Sequence, residues 1–121
     1  MSTLKADTIQ NTSGGAATLT KQQAAKAWFH YDGSGTTFAD SFNGASATDD
    51  GTGTYTMTFT SAMSNANYAV TVADDDSGTT RAFTHAKTYA TGSFATRSSR
   101  GDNGTNTDKT TVATAVHGDL A

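Results

Sequence analysis

The chain has 121 residues and a mass of 12.4 kDa, which is enough for one domain, and 68 of the residues are Thr, Ala, Gly or Ser (25, 20, 12 and 11). It contains no Cys, no Pro and no Glu, which excludes a disulfide scaffold, a thiolate metal site and a cysteine nucleophile. A net charge of −3 offers no overall basic field for nucleic acid, and no apolar run is long enough to insert into a membrane.

Leu, Ile, Val and Phe number only 14, a content that often accompanies disorder. Disorder, however, goes with high net charge and few aromatics. Here the charge is small, and 11 aromatics recur at regular spacing through Thr-rich runs. The expectation is a folded all-β domain whose own core is thin. Such a chain is expected to bury further surface between identical copies, as a homotrimer.

Residues 1–17 carry few anchors: Leu4, Ile9, and then a soft stretch ending at Gly14 and Gly15. They read as an extended arm with no basic, apolar and small-residue leader, so no cleaved export signal is expected. Residues 18–27 predict a short helix. Thr20 and Gln23 fit a capping box, Ala24 and Ala25 favour helix, and Leu19 supplies an apolar contact. From Trp28 the period changes. Residues 28–31 are a strand-like aromatic run, and 38–42 with 45–48 form a second piece closed by Asp49, Asp50 and Gly51. Residues 54–60 alternate strictly, placing Tyr55, Met57 and Phe59 on one face and Thr on the other. Residues 68–72 repeat the pattern. In 81–89, Phe83, His85, Lys87 and Tyr89 share one parity, while Ala82, Thr84, Ala86 and Thr88 take the other. A strand over 94–97, a polar loop over 98–108 and a final strand over 110–116 complete the chain. Seven or eight short strands with polar turns predict an antiparallel β-sandwich head over residues 28–121, preceded by the arm and helix of residues 1–27.

Three Asp groups invite a Ca²⁺ reading: Asp49 with Asp50, Asp74 to Asp76, and Asp102 with Asp108. Their spacing does not follow a known calcium loop, and Asp beside Gly is ordinary turn chemistry; turns are expected, with Asp74 to Asp76 the best metal candidate. His30, His85 and His117 are far apart in sequence and read as strand residues. A three-His metal site would need one residue per chain on a symmetry axis. No nucleophile elbow, dinucleotide fingerprint or phosphate loop occurs. The expectation is a non-enzymatic protein without cofactor or metal. Tyr89, Arg97, Arg100 and Asn103 are the candidate recognition residues: an aromatic to stack on a sugar, guanidinium groups to pair with an acidic glycan or a partner carboxylate, and a loop amide.

The opening ten residues, Met1 to Gln10, resemble those of short structural proteins of marine and cyanobacterial phages. The stretch from Gln23 to Trp28, followed by the segment Phe38 to Gly44 with its DSFN core, is similar to a tail-fibre pattern in which a helix leads into an aromatic strand. Residues 49–56, Phe59, residues 62–70 and the closing run from Val116 to Leu120 continue the likeness. The resemblance implies a virion protein of tail-fibre or head-fibre type, trimeric and without enzymatic activity. Its N-terminal end would dock on other virion proteins of tail or capsid through Leu4, Ile9 and Leu19. Its distal loops, 74–80 and 98–108, would meet a host-surface glycan or protein. The alternative is a capsid decoration protein that stabilises the particle. The resemblance supplies no receptor residues, because the matching positions read as scaffold.

Overall fold

A computed structural model describes residues 12–13, 24–33, 37–75 and 81–121. Leu4, Ile9 and Leu19, with nearly all of the expected arm and the first six residues of the expected helix, lie outside that set. The last four residues of the expected helix are not helical. Residues 24–26 form bends and irregular chain, and Ala27 already opens the first strand. The Lys26 amide donates to the Val116 carbonyl at 2.7 Å, so pairing with the sheet overrides the local preference of Ala and Lys for helix.

Eight strands follow: β1 (Ala27–Tyr31), β2 (Phe38–Phe42), β3 (Gly44–Asp49), β4 (Thr54–Phe59), β5 (Ala69–Asp74), β6 (Ala82–Ala90), β7 (Ser93–Arg100) and β8 (Val112–His117). They form two four-stranded antiparallel sheets, ordered β2-β1-β8-β5 and β3-β4-β7-β6. The chain makes hairpins β1–β2, β3–β4 and β6–β7 within a sheet and changes sheet between β2 and β3, β4 and β5, β5 and β6, and β7 and β8.

The β2-to-β3 crossing turns on Asn43, whose φ of 57° is tolerated by Asn better than by most residues. Its side-chain amide donates to the Lys26 carbonyl at 3.2 Å and the Ser61 carbonyl at 3.0 Å, and its Oδ1 accepts the Ser61 amide at 2.6 Å. One side chain therefore joins the entry to β1 with the exit from β4.

Aromatic rings supply the core volume that the scarce aliphatics do not. The ring of Phe29, from the first sheet, lies 5.9 Å from that of Phe59 and 5.7 Å from that of Phe94, both on the second. Tyr31 meets Tyr55 across the same gap at 5.1 Å. The strict alternation of β4 is realised: Tyr55, Met57 and Phe59 are buried, while Thr54, Thr56 and Thr58 face outward. The buried tyrosine hydroxyls find partners close by. The Tyr31 hydroxyl lies 3.0 Å from Thr96 Oγ1. The Tyr55 hydroxyl donates to the Gly33 carbonyl and approaches Asp108 Oδ1 at 2.8 Å. Burial pushes the phenols of Tyr31 and Tyr55 far above their usual range.

The 98–108 segment is less of a loop than its polarity suggests. Ser98, Ser99 and Arg100 extend β7, and the chain returns along it: the Thr107 amide donates to the Ser98 carbonyl at 3.1 Å and the Arg100 amide to the Thr105 carbonyl at 2.8 Å. Polar side chains here satisfy a backbone that is paired almost as fully as a strand.

Candidate recognition face

The β6–β7 hairpin concentrates the positive charge. Residues 81–100 hold Arg81, Lys87, Arg97 and Arg100 and no acidic residue; the other four cationic residues, Lys5, Lys21, Lys26 and Lys109, accompany all 11 Asp, leaving that remainder at −7. The net charge of −3 thus hides a +4 hairpin on an acidic chain.

The sheet geometry sends two of these four cations, Lys87 and Arg97, to one face. On β6 the small residues Ala82, Thr84 and Ala86 turn toward the sandwich interior. There the Thr84 hydroxyl donates to Asp74 and lies 2.6 Å from Ser98 Oγ, an arrangement that holds the edges of the two sheets close and leaves no room for bulk. Alternation then forces Phe83, His85 and Lys87 outward. The register pairs His85 with Arg97, Lys87 with Ala95 and Phe83 with Ser99, so these residues share the outer face. On the neighbouring strand Thr54 stands opposite Arg97 and Thr56 opposite Ala95. The face is a row of cationic and aromatic side chains set in a field of hydroxyls.

Two of its members are held in place. Arg97 Nε donates to Asn106 Oδ1 at 2.8 Å, and Ser99 Oγ donates to the same oxygen at 3.3 Å. The Nε bond fixes the guanidinium plane and does not use its two terminal amino groups. Phe83, 68% exposed, is the most exposed large apolar side chain among the described residues. Its ring lies against Gly101, where a Cβ would fall 2.8 Å from Phe83 Cε2. Glycine at 101 is what lets the ring rest there.

The four residues expected from sequence do not converge. Arg97 lies on this face. Arg100 pairs in register with inward-facing Ala82 and reaches Asp102 at 3.3 Å at the end of the sandwich. Asn103 is a turn residue, its Oδ1 accepting the Thr105 amide at 2.9 Å. Tyr89 is at the opposite end of the hairpin, roughly 25 Å away by strand rise. Between Lys87 and Ala90 the register shifts, with Thr88 at a φ of 51°. This bulge re-aims Tyr89 onto Tyr68, ring centroids 5.2 Å apart. Sequence reasoning missed Phe83, His85, Lys87 and Asn106. Counting charge in a 20-residue window would have found the hairpin.

Elsewhere the acidic clusters do turn and strand chemistry. Asp49 Oδ1 accepts the Gly51 amide at 2.8 Å, and Asp50 Oδ2 accepts the Thr56 hydroxyl at 2.6 Å. Asp75 Oδ1 accepts the Thr111 amide at 3.3 Å, and the backbone carbonyl of Asp75 takes buried Lys109 Nζ at 2.7 Å. Asp76 lies outside the described residues. No group of three or more His and Asp side chains among the described residues is placed to hold a metal ion. His30 and His85 point outward from different sheets.

The opposite outer face differs in kind. Trp28 pairs in register with Phe42, and the two are 37% and 54% exposed. Beside them β8 and β5 present Ala113, Ala115, Thr71 and Ala73, while β2 adds exposed Asp40 opposite His30.

Comparisons with known protein families, with curated protein sequences and with solved structures return no match. The functional reading therefore draws on the residues of this chain.

Proposed function

We propose that this chain is the head of a phage virion fibre or adhesin: a non-enzymatic subunit, trimeric, docked by its N-terminal arm and contributing to attachment at a host surface. The observation that carries the reading is the outward face of the β6–β7 hairpin, where Phe83, His85, Lys87 and Arg97 stand exposed or half-exposed on a scaffold that does not need them for its core. A weak site of this kind gains strength by repetition, since linked copies convert later binding events into intramolecular ones. The face bearing Trp28 and Phe42, whose one acidic residue among the described strands is Asp40 opposite His30, supports self-association, because exposed aromatics beside small residues suit close packing between subunits.

The same face favours a second reading, capsid decoration, in which it clamps neighbouring capsid subunits. Particles lacking the protein separate the two. Loss of host adsorption supports the adhesin, whereas normal adsorption with lost heat or salt resistance supports decoration. Deleting residues 2–17 abolishes incorporation under either reading. Sedimentation of the purified chain tests the trimer, and a compact monomer at micromolar concentration refutes it.

A further inference from the structure

We propose that the outward face of the β6–β7 hairpin binds an acidic polysaccharide, with Arg97 and Lys87 pairing with its carboxylates and Phe83 stacking on a sugar ring. The assignment deepens the adhesin reading and rests on it.

Charge complementarity selects an anionic partner: Lys87 and Arg97 stand on this face and residues 81–100 hold no acid, against −7 on the remainder of the chain. The spacing selects a polymer. Alternate residues on a strand are roughly 7 Å apart, so the row Phe83, His85, Lys87 extends over roughly 13 Å. An extended chain with recurring carboxylates can meet that row at several points, whereas a single small anion would occupy one guanidinium and gain nothing from the rest. The planar fork of Arg97, held through Nε by Asn106, is set to take a carboxylate through its terminal amino groups.

The surroundings select a saccharide. The Cδ2–Cε2 side of the Phe83 ring rests against Gly101 and the side chain is 68% exposed, which leaves an apolar platform for the C–H face of a sugar. Thr54 and Ser99 border the row with hydroxyls that match those of a sugar, while the Thr56 hydroxyl is given to Asp50. A nucleic acid fits less well. Single-strand binders stack successive bases on several aromatics, and this row has one. The acidic remainder also opposes the denser charge of a polyphosphate. Charged residues on an edge strand commonly discourage edge-to-edge aggregation, and β6 is an edge strand. That role requires no exposed phenylalanine, which works against it.

The test uses the full chain and three immobilised probes: polygalacturonate, neutral dextran and oligo-dT. Binding is expected to polygalacturonate and not to dextran, and to weaken severalfold as NaCl rises from about 50 to about 500 mM. Arg97→Gln is expected to weaken it about tenfold, and Lys87→Gln and Phe83→Ala by roughly threefold to tenfold each. The Lys87 side chain makes no hydrogen bond or ion pair among the described residues, so Lys87→Gln decides the matter even if another variant folds poorly. Equal binding to dextran, unchanged affinity in all three variants, or tighter binding to oligo-dT overturns the site. Particle adsorption is scored separately. Particles carrying Lys87→Gln and Arg97→Gln that lose polygalacturonate binding yet adsorb normally refute the adhesin reading and leave the site standing. A chain needed for adsorption that binds no polygalacturonate refutes the site alone.

Discussion

Replacing Tyr55 with Phe removes a single oxygen from the point where three segments meet. The hydroxyl donates to the Gly33 carbonyl after β1 and lies 2.8 Å from the Asp108 carboxylate before β8, while Asp108 also accepts the Gly53 amide at 2.6 Å. Phenylalanine keeps the ring, so the 5.1 Å edge contact with Tyr31 survives and no cavity forms. What is lost is one hydrogen bond shared between two acceptors, one of them charged, at a residue only 1% exposed. The desolvated acceptors left behind put the cost at about 1–3 kcal/mol. For a chain of this length that is a fall in melting temperature of roughly 4–12 °C for two-state unfolding. A double-mutant cycle with Asp108→Asn, read by thermal or urea unfolding, isolates the pair. Coupling of about 1 kcal/mol is expected between groups that share a hydrogen bond. A Tyr55→Phe chain that melts within about 1 °C of the parent, or a cycle with no coupling, refutes the idea that this hydroxyl fastens the end of the sandwich.

Three further outcomes are expected. Gly53→Ala costs at least about 2 kcal/mol by urea unfolding, because Gly53 has a φ of +67° and an added Cβ would fall 2.6 Å from both the Ser98 and Thr107 carbonyl oxygens. Asn43→Gly keeps the left-handed backbone but deletes the bonds to Lys26 and Ser61, so a loss of about 1–2 kcal/mol measures the side chain alone. The fold also weakens in alkali. Burial pushes the Tyr68 phenol up to about 12, partly offset by its bond to the Ala90 carbonyl. Above pH 10 the unfolded chain releases that proton while the folded chain keeps it, so stability falls between pH 10 and about 12. Tyr68 contributes about 1–2 kcal/mol after allowance for solvent screening. Absorbance titration beside unfolding at each pH checks it, and phenols that all titrate at pH 10 in the folded chain refute it.

What could be read from the amino-acid order was set by how local its cause is. Residues 54–60 announced their strand and its buried face, because alternation of large apolar side chains with Thr has one economical solution. The strand from Ala82 was recognisable, but its orientation was not. Parity says which residues travel together, not which side they take, and here the side is decided by the close approach of Asp74, Thr84 and Ser98 across the sheets. Helix was expected over residues 18–27 from Ala and a capping pair, and at Lys26 and Ala27 a strand 90 residues away outweighs that preference. Tyr89 was chosen as an aromatic that could stack on a sugar; the register shift near Thr88, which turns it onto Tyr68, is invisible to periodicity. Arg97 was identified for its chemistry alone. Its orienting partner Asn106 comes from the returning segment, whose path no local pattern encodes.

The hairpin that carries the proposed site divides its labour by odd and even positions. Residues 82, 84 and 86 answer to the neighbouring sheet, whereas 83, 85 and 87 answer only to what lies outside. Mutation can therefore rewrite every second letter of this ribbon while the letters between them keep the ribbon in place. A surface built this way is free to follow a changing target without asking the rest of the molecule to refold.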